Sequence, residues 1–280
     1  MNYEIYSPEL YGKSGDDRSR CIQALLALYG QPLVWHDGDC VLEIGCGIGD
    51  VTENCFLPLL PRRNFKRYVC SDASLKMLNA TRTRFSKLEH VDFELLDIGI
   101  PVDSVLCASF NRIFSTICLM YIPNQKQMFK NIYDLLLPDG DCWLQMFTTG
   151  AIFESLFQTA EMPKWQEKLH NIRDIFVFPY REDPHPERTV EELMKLVGFV
   201  DISVKIHDSY QKYETADRFR EVLKCFPDFA PKLTLEEKKD LLEDQVKFGV
   251  TMNMIEEFYD PNKPRYQPVF QSLVIYGRKP

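Results

Sequence analysis

The run Val41-Leu-Glu43-Ile-Gly45-Cys-Gly47-Ile-Gly49-Asp50 concentrates more chemistry than any other stretch of the chain. Glycine is needed where a strand turns abruptly into a helix with positive φ, and where a ligand must touch main chain with no side chain in the way. The spacing departs from the dinucleotide fingerprint G-x-G-x-x-G. Its third glycine comes one residue early, and Asp50 takes the expected place. A helix start fronted by an acid is a poor seat for pyrophosphate, and Glu43 adds a second negative group. Two further acids end apolar runs of the same kind, Asp72 after Arg67-Tyr-Val-Cys-Ser and Asp97 after Asp92-Phe-Glu-Leu-Leu. Carboxylates at the carboxyl ends of adjacent strands can accept hydrogen bonds from ligand hydroxyls and amines.

A ligand with a positive head and no phosphate satisfies these electrostatics, and S-adenosylmethionine carries both a sulfonium and an ammonium. Asp72 can accept from the ribose diol. Asp97 can accept from the adenine amino group, with Leu96 and Ile98 against the ring. The expected cofactor contacts are Glu43, Gly45, Cys46, Gly47, Asp72, Ala73, Asp97, Ile98 and Ser115, with Ser115 or its neighbour Thr116 meeting the amino-acid portion.

The elements that must position these residues follow from periodicity. Ile22, Leu25, Leu26 and Tyr29 recur at helical spacing between the acidic turn Asp16-Asp17 and a stop at Gly30 and Pro32. Strands are expected at 40–45, 67–72, 92–97, 112–118 and 142–147, with helices between them. The helix carrying Met128, Phe129, Ile132, Leu135 and Leu136 is expected to end at Pro138-Asp139-Gly140. Five strands alternating with helices predict a doubly wound parallel α/β sheet. Thr189-x-x-Glu192 reads as a capping box opening a helix that Gly198 closes, and Thr234-x-x-Glu237 as another. Strands follow at 200–213, with Val200, Ile202, Val204 and Ile206 inward, and at 269–276. One domain over 1–280 is expected, with core sheet at about 38–148, 198–213 and 268–280. Helical inserts at about 150–185 and 214–262 are expected to form a lid.

Composition narrows the partners. A net charge of −8 argues against nucleic acid, whose phosphates need a basic face. Nine cysteines with no C-x-x-C pair fit neither a disulfide framework nor a zinc site. No window approaches roughly 18 uninterrupted apolar residues, and the start lacks the form of a signal peptide. A cytoplasmic monomer or homodimer acting on a small molecule is expected, with no membrane and no metal. The five histidines share no spacing.

Glu43-x-Gly45-x-Gly47-x-Gly49 resembles the first motif of the class I S-adenosylmethionine-dependent methyltransferases, (D/E)-x-G-x-G-x-G, over residues 38–148 and the last strand. That resemblance implies a seven-stranded Rossmann-like sheet whose last strand is antiparallel, and S-adenosylhomocysteine as product. A closer resemblance, to insect juvenile hormone acid O-methyltransferases, rests on Leu10-Tyr11-x-Lys13-Ser14, Pro58-Leu-Leu-Pro61, Leu96-Asp97-Ile98-Gly99, Cys118-Leu119 and Asn131-Ile-Tyr-Asp-Leu-Leu136. It continues through Val197-Gly-Phe199, Met252-Asn253 and Tyr276-Gly-Arg-Lys. It implies methylation of the carboxylate of an apolar isoprenoid acid, of the juvenile hormone acid or farnesoic acid type.

In that family a Gln and a Trp hold the substrate carboxylate. Arg18 and Tyr121 stand at those positions, and they are the expected catalytic and substrate-binding residues. Arg can grip a carboxylate with a bidentate fork, and the Tyr hydroxyl can donate once. Phe147, Phe153 and Trp165 are expected walls for the apolar tail, with Leu156, Phe157 and Ile175 as further candidates. Tyr11, Lys13 and Ser14 either close over the cofactor or form a plain loop. The basic cluster from Pro61 to Arg67 reads as a solvated loop. The missing Gln and Trp leave two other readings open: a small-molecule methyltransferase of different specificity, and a catalytically weak terpenoid-binding paralogue that keeps the cofactor.

Overall fold

Near-continuous apolar runs are what a strand covered on both faces requires, and Cys40–Ile44 supplies one at the centre of the sheet as β1. The computed structural model describes residues 5–30, 33–60, 65–209, 213–226, 229–262 and 270–280. Of the expected features, Pro32, most of the basic loop (61–64), the end of the strand at 200–213 (210–212) and Val269 lie outside the described residues.

The other strands are β2 (Arg67–Asp72), β3 (Val91–Leu95), β4 (Phe110–Thr116), β5 (Leu136–Thr149), β6 (Val200–Ser209) and β7 (Phe270–Arg278). Their order is β3-β2-β1-β4-β5-β7-β6. The first five are parallel, and β7 runs antiparallel to both of its neighbours. Between β1 and β4 the winding reverses, which is where open α/β sheets bind ligands, and the glycine turn leaves β1 at that point.

Strand side chains alternate between faces, and neighbouring residues feed two cores. Val41, Phe114 and Trp143 face helix α2 (Gly15–Tyr29), which buries Ile22 and Leu25 there, and the Phe56 ring stacks on Phe114 with centroids 4.3 Å apart. Leu42, Ile113 and Leu144 face the larger core under α4 (Gln125–Leu135). Preceding α2 is α1 (Pro8–Gly12), and α3 (Leu75–Arg84) follows β2 behind a Ser74 cap.

Two helical inserts flank β6. One holds α5 (Ala151–Ala160) and α6 (Ile172–Ile175). The other holds α8 (Ala216–Leu223) and α9 (Leu235–Thr251), the last opened by the Thr234–Glu237 capping box. Helix α9 packs against α5 and α8. No helix among the described residues is long and apolar enough to cross a membrane.

Local signals failed where a competing partner lay nearby. Helix α7 spans Pro186–Val197 and begins before the expected Thr189 cap. Proline is preorganised for a first helical turn, and the Thr189 hydroxyl donates instead to Asp183 Oδ2 at 2.6 Å. Gly198, with φ 119°, closes the helix as expected. Strand β5 begins at Leu136, not Cys142, so Pro138-Asp139-Gly140 lies inside it. The register jumps from Phe110–Leu136 to Arg112–Asp141, which makes that tripeptide part of a bulge. Ile206, expected to face inward, is 38% exposed because β6 is an edge strand.

A buried ion pair clamps β4 to β5. Arg112 Nε and Nη2 donate to the two Asp141 oxygens at 2.6 and 2.7 Å, and Nη2 also reaches Val34 O at 2.9 Å. The guanidinium lies 4.3 Å over the Trp35 ring. Asp141→Asn leaves that cation buried without its counter-ion. It is expected to lower the unfolding free energy by about 3–5 kcal/mol, read from urea midpoints, with most of the loss recovered in Arg112→Met/Asp141→Leu. A single variant as stable as the parent would show that the pair does not hold the strands.

Candidate functional site

Each glycine after β1 is required for a different contact. Gly45 has φ 73°, and a Cβ there would lie 2.4 Å from Cys118 Sγ. Gly49 has φ 80°, and its Cβ would meet the Phe85 ring at 2.8 Å. Gly47 passes under the Tyr11 ring. The turn is pinned by Asp72, whose Oδ2 accepts from Gly47 N at 2.9 Å and whose Oδ1 accepts from Ser74 N at 2.8 Å. Asp97 Oδ1 accepts from Gly99 N at 2.8 Å.

These residues wall a first cavity of about 720 Å³. Gly45, Gly47, Asp72, Ala73, Asp97 and Ile98 all line it, with Leu96 and Met77 as apolar floor. Three other expected contacts are turned away from it. Glu43 is buried beneath the turn, where its Oε2 accepts from Thr52 Oγ1 at 2.6 Å and Tyr68 OH at 2.7 Å. Burial pushes its carboxyl up to about 7, and those two hydrogen bonds only partly oppose the rise. The Cys46 thiol packs near Thr81, raised well above its ordinary range by burial and by Cys70. The Ser115 hydroxyl donates to Ile44 O at 2.8 Å and serves the sheet.

A second cavity of about 800 Å³ lies beside the first. Phe147, Ile152 and Phe153 wall it from β5 and α5. Val222 and Phe226 wall it from the other insert, and Phe270 from β7. Arg18 and Asp17 reach it from α2. Tyr6, Tyr11, Ile117 and Tyr121 line both cavities. Ile117 ends β4 earlier than expected because it turns to φ 53°, a left-handed conformation that costs a β-branched residue about 1–3 kcal/mol. Gln145 holds it there, accepting from Ile117 N at Oε1, 3.0 Å away, while its own amide donates to Ser272.

Arg18 does not present an open fork. Its Nε and Nη2 donate to Asp50 Oδ2 at 3.1 and 2.8 Å, Nη1 donates to Ser14 Oγ, and the guanidinium stacks 3.6 Å over the Tyr11 ring. Asp50, read from the sequence as a bare acid at the turn, is thus neutralised by a partner 32 residues away. Trp165 is off the cavity wall, with no exposed surface, and its indole donates to Asp244 Oδ2 at 3.0 Å. Phe157 and Leu156 are core, and Ile175 packs against the core as well. Lys13 is exposed, whereas Tyr11 and Ser14 reach the second cavity. Sequence reasoning missed Tyr6. Its one signal was a second tyrosine close before Tyr11.

Residues 42–142 match the family described as a methyltransferase domain. The chain is 29% identical over 250 residues to the juvenile hormone acid O-methyltransferase of Bombyx mori, covering 89% of this chain and 87% of that one. It is 26% identical over 274 residues to the protein of the same name from Drosophila melanogaster, covering 96% and 91%. Among solved structures, phosphoethanolamine N-methyltransferase 2 of Haemonchus contortus, bound to S-adenosyl-L-methionine, aligns with TM-score 0.53 at 19% identity. That alignment covers 91% of this chain and 52% of the worm protein, so the chain spans about half its length. The YcgJ protein of Bacillus subtilis aligns with TM-score 0.56 at 15% identity, covering 91% and 97%. At such identities the structural likeness speaks for the fold. Taken with the glycine turn and its acids, these matches show an S-adenosylmethionine-dependent methyltransferase, with the sheet of the class I enzymes and similar over most of its length to juvenile hormone acid O-methyltransferases.

Proposed function

We propose that this enzyme transfers methyl to the carboxylate of an apolar isoprenoid acid, of the juvenile hormone acid or farnesoic acid type. The observation that carries this reading is the pair of cavities. One is floored by glycines and acids and the other is walled by phenylalanines, and they meet at a wall of three tyrosines and Ile117. The second is walled by Phe147, Ile152, Phe153, Val222, Phe226 and Phe270, the apolar lining that a pocket for a small apolar ligand calls for. The names of the two insect relatives favour the same substrate class.

The residues of the first cavity fit the cofactor. Asp72 would offer acceptors to a ribose diol, Leu96 and Ile98 would hold a flat ring near Asp97, and a side chain at Gly45 would collide with Cys118. Glu43, Cys46 and Ser115 act from beneath, through the turn. When bound, S-adenosylmethionine supplies an electrophilic methyl group. The chain's own residues position the acceptor and exclude water. No general base is needed, because a carboxylic acid with a pKa of roughly 4–5 is already ionised at neutral pH. Burial holds the Tyr121 phenol above its ordinary range, so it stays a neutral donor. Arg18 is paired with Asp50, so its charge is answered locally and it does not ion-pair fully to the nucleophile, which would favour the ground state. The two inserts act as a lid over the apolar cavity within one methyltransferase domain.

Incubation with labelled methyl donor and a panel of isoprenoid, fatty and aromatic acids tests the substrate, with methyl ester expected on the isoprenoid acids. Cofactor binding without any product would favour the terpenoid-binding alternative, and micromolar binding of NAD in place of S-adenosylhomocysteine would refute the cofactor assignment. Asp72→Ala should weaken S-adenosylhomocysteine binding by about 1–3 kcal/mol in calorimetry, the cost of unpaired partners. Unchanged affinity would displace the ribose from Asp72.

Glu43 gives a pH signature. Its folded pKa is raised from 4.5 to about 7, so its protonated form favours the fold. That stability is complete below pH 4.5 and is lost as pH rises through 7. Glu43→Gln retains an oxygen able to accept from both Thr52 and Tyr68 but does not titrate. Relative to this variant, the parent should lose roughly 3 kcal/mol of unfolding free energy between pH 4.5 and 7.5, measured by urea titration. A constant difference would place an ordinary carboxylate there.

A further inference from the structure

Gln145 lies in β5 with no exposed surface and lines neither cavity, yet its amide reaches the strands on both sides. Oε1 accepts from Ile117 N at 3.0 Å, just past the end of β4, and Nε2 donates to Ser272 Oγ on β7, also at 3.0 Å. The Gln145 main-chain oxygen accepts from the same Ile117 N at 3.2 Å. A buried amide engaged at both ends has one orientation. The residue that it grips is the only β-branched one with positive φ among the described residues, a conformation that such side chains rarely adopt.

Three parts of the site hang on that left-handed turn. Ile117 itself stands in the wall common to both cavities. Cys118, next along, sits against Gly45, where any Cβ would collide with its thiol. Leu119–Tyr121 then form a single 3-10 turn, and Leu119 O and Ile122 O accept from the Gln125 amide at 3.0 and 2.7 Å. Tyr121 therefore stands on a short, braced piece of chain whose direction is set at Ile117. An isoleucine left to its own preference takes negative φ, and the chain would then leave β4 in another direction. In-line methyl transfer tolerates little of that, since reacting atoms must be held about 3–3.5 Å apart.

We propose that Gln145 is a positioning residue for methyl transfer: it holds Ile117 in the left-handed turn and so sets the wall across which donor and acceptor meet. This rests on reading the two cavities as the seats of methyl donor and methyl acceptor, whichever acceptor the second one takes. Removing the amide loses a hydrogen bond but releases the strain that the bond sustains. The two effects oppose each other in stability, whereas both displace the wall. Activity and stability should therefore respond differently to the same substitution.

Gln145→Met keeps the length of the side chain and removes both polar ends. On an acceptor that the parent methylates, kcat should fall about tenfold to a hundredfold, the scale set by misplacing a reactant, and KM should move less than about threefold. The thermal midpoint should stay within about 4 °C of the parent, and a crystal structure of the variant should show Ile117 at negative φ. In an Ile117→Gly background, where positive φ carries no penalty, the same substitution should cost less than about threefold in single-turnover methyl transfer. Parental kcat in Gln145→Met, an equal loss in the glycine background, or an Ile117 that keeps its positive φ would each overturn the inference. A loss confined to the thermal midpoint would overturn it too, as a structural role. If Gln145→Met is not recovered folded, Ser272→Ala, which frees the far end of the amide, decides instead: lowered kcat supports the inference and parental kcat overturns it. Methylation by the parent of an acceptor that is not an acid would remove the carboxyl reading and leave this inference standing. A parent that methylates nothing would remove both.

Discussion

The guanidinium of Arg18 lies between the Asp50 carboxylate and the face of Tyr11, and the site depends on that sandwich. Asp50 follows the glycine turn, Arg18 comes from α2, and Tyr11 from the last turn of the short helix before it. One contact therefore fixes the amino-terminal segment over the end of the sheet. With both ionic side chains about one-tenth exposed, at 11% and 8%, the pair is poorly screened and geometrically exacting. Beside it Tyr11 covers Gly47, and Tyr6 packs against Tyr121. The same pair explains how the chain can place an arginine where relatives are expected to carry a neutral amide: the extra charge is answered locally by an acid.

What the sequence makes legible is what local physics decides. Alternation and apolar runs identify the strands, and glycine spacing identifies the turn because no other residue fits its positive φ values. Acids at the ends of β2 and just beyond β3 identify the ligand edge, because strand ends in such a sheet converge there. Gly45, Gly47, Asp72, Ala73, Asp97 and Ile98 could be named for those reasons, and they share one cavity. Glu43 and Cys46 belong to the glycine motif and Ser115 lies near the end of β4, but their side chains bond to Thr52 and Tyr68, to Thr81 and to Ile44 O, away from the cavity.

The rest depends on partners far away in sequence. Nothing near Arg18 announces Asp50, and nothing near Trp165 announces Asp244, 79 residues on, which draws the indole into the core. An aromatic residue at helical spacing reads as well for a pocket as for a core. Phe147 and Phe153 went to the pocket and Phe157 to the core. Thr189 shows the same limit on a smaller scale. Its hydroxyl could cap a helix, but Asp183 lies within reach and takes it. Tyr6 carries no motif, and its place on the wall of both cavities arises only when the chain folds back on itself.

The electrostatic argument for a cationic ligand survives in a narrower form. Four acids crowd the turn in sequence, yet Asp50 is matched by Arg18 and Glu43 sits near half-protonation at neutral pH. Asp72 and Asp97 are the two that line the first cavity, and each already accepts backbone amide hydrogen bonds that steady it. Two fixed carboxylates, not four, then define the local potential. A ligand with a sulfonium gains from that potential, and the gain shrinks once the methyl group has gone and the sulfur is neutral.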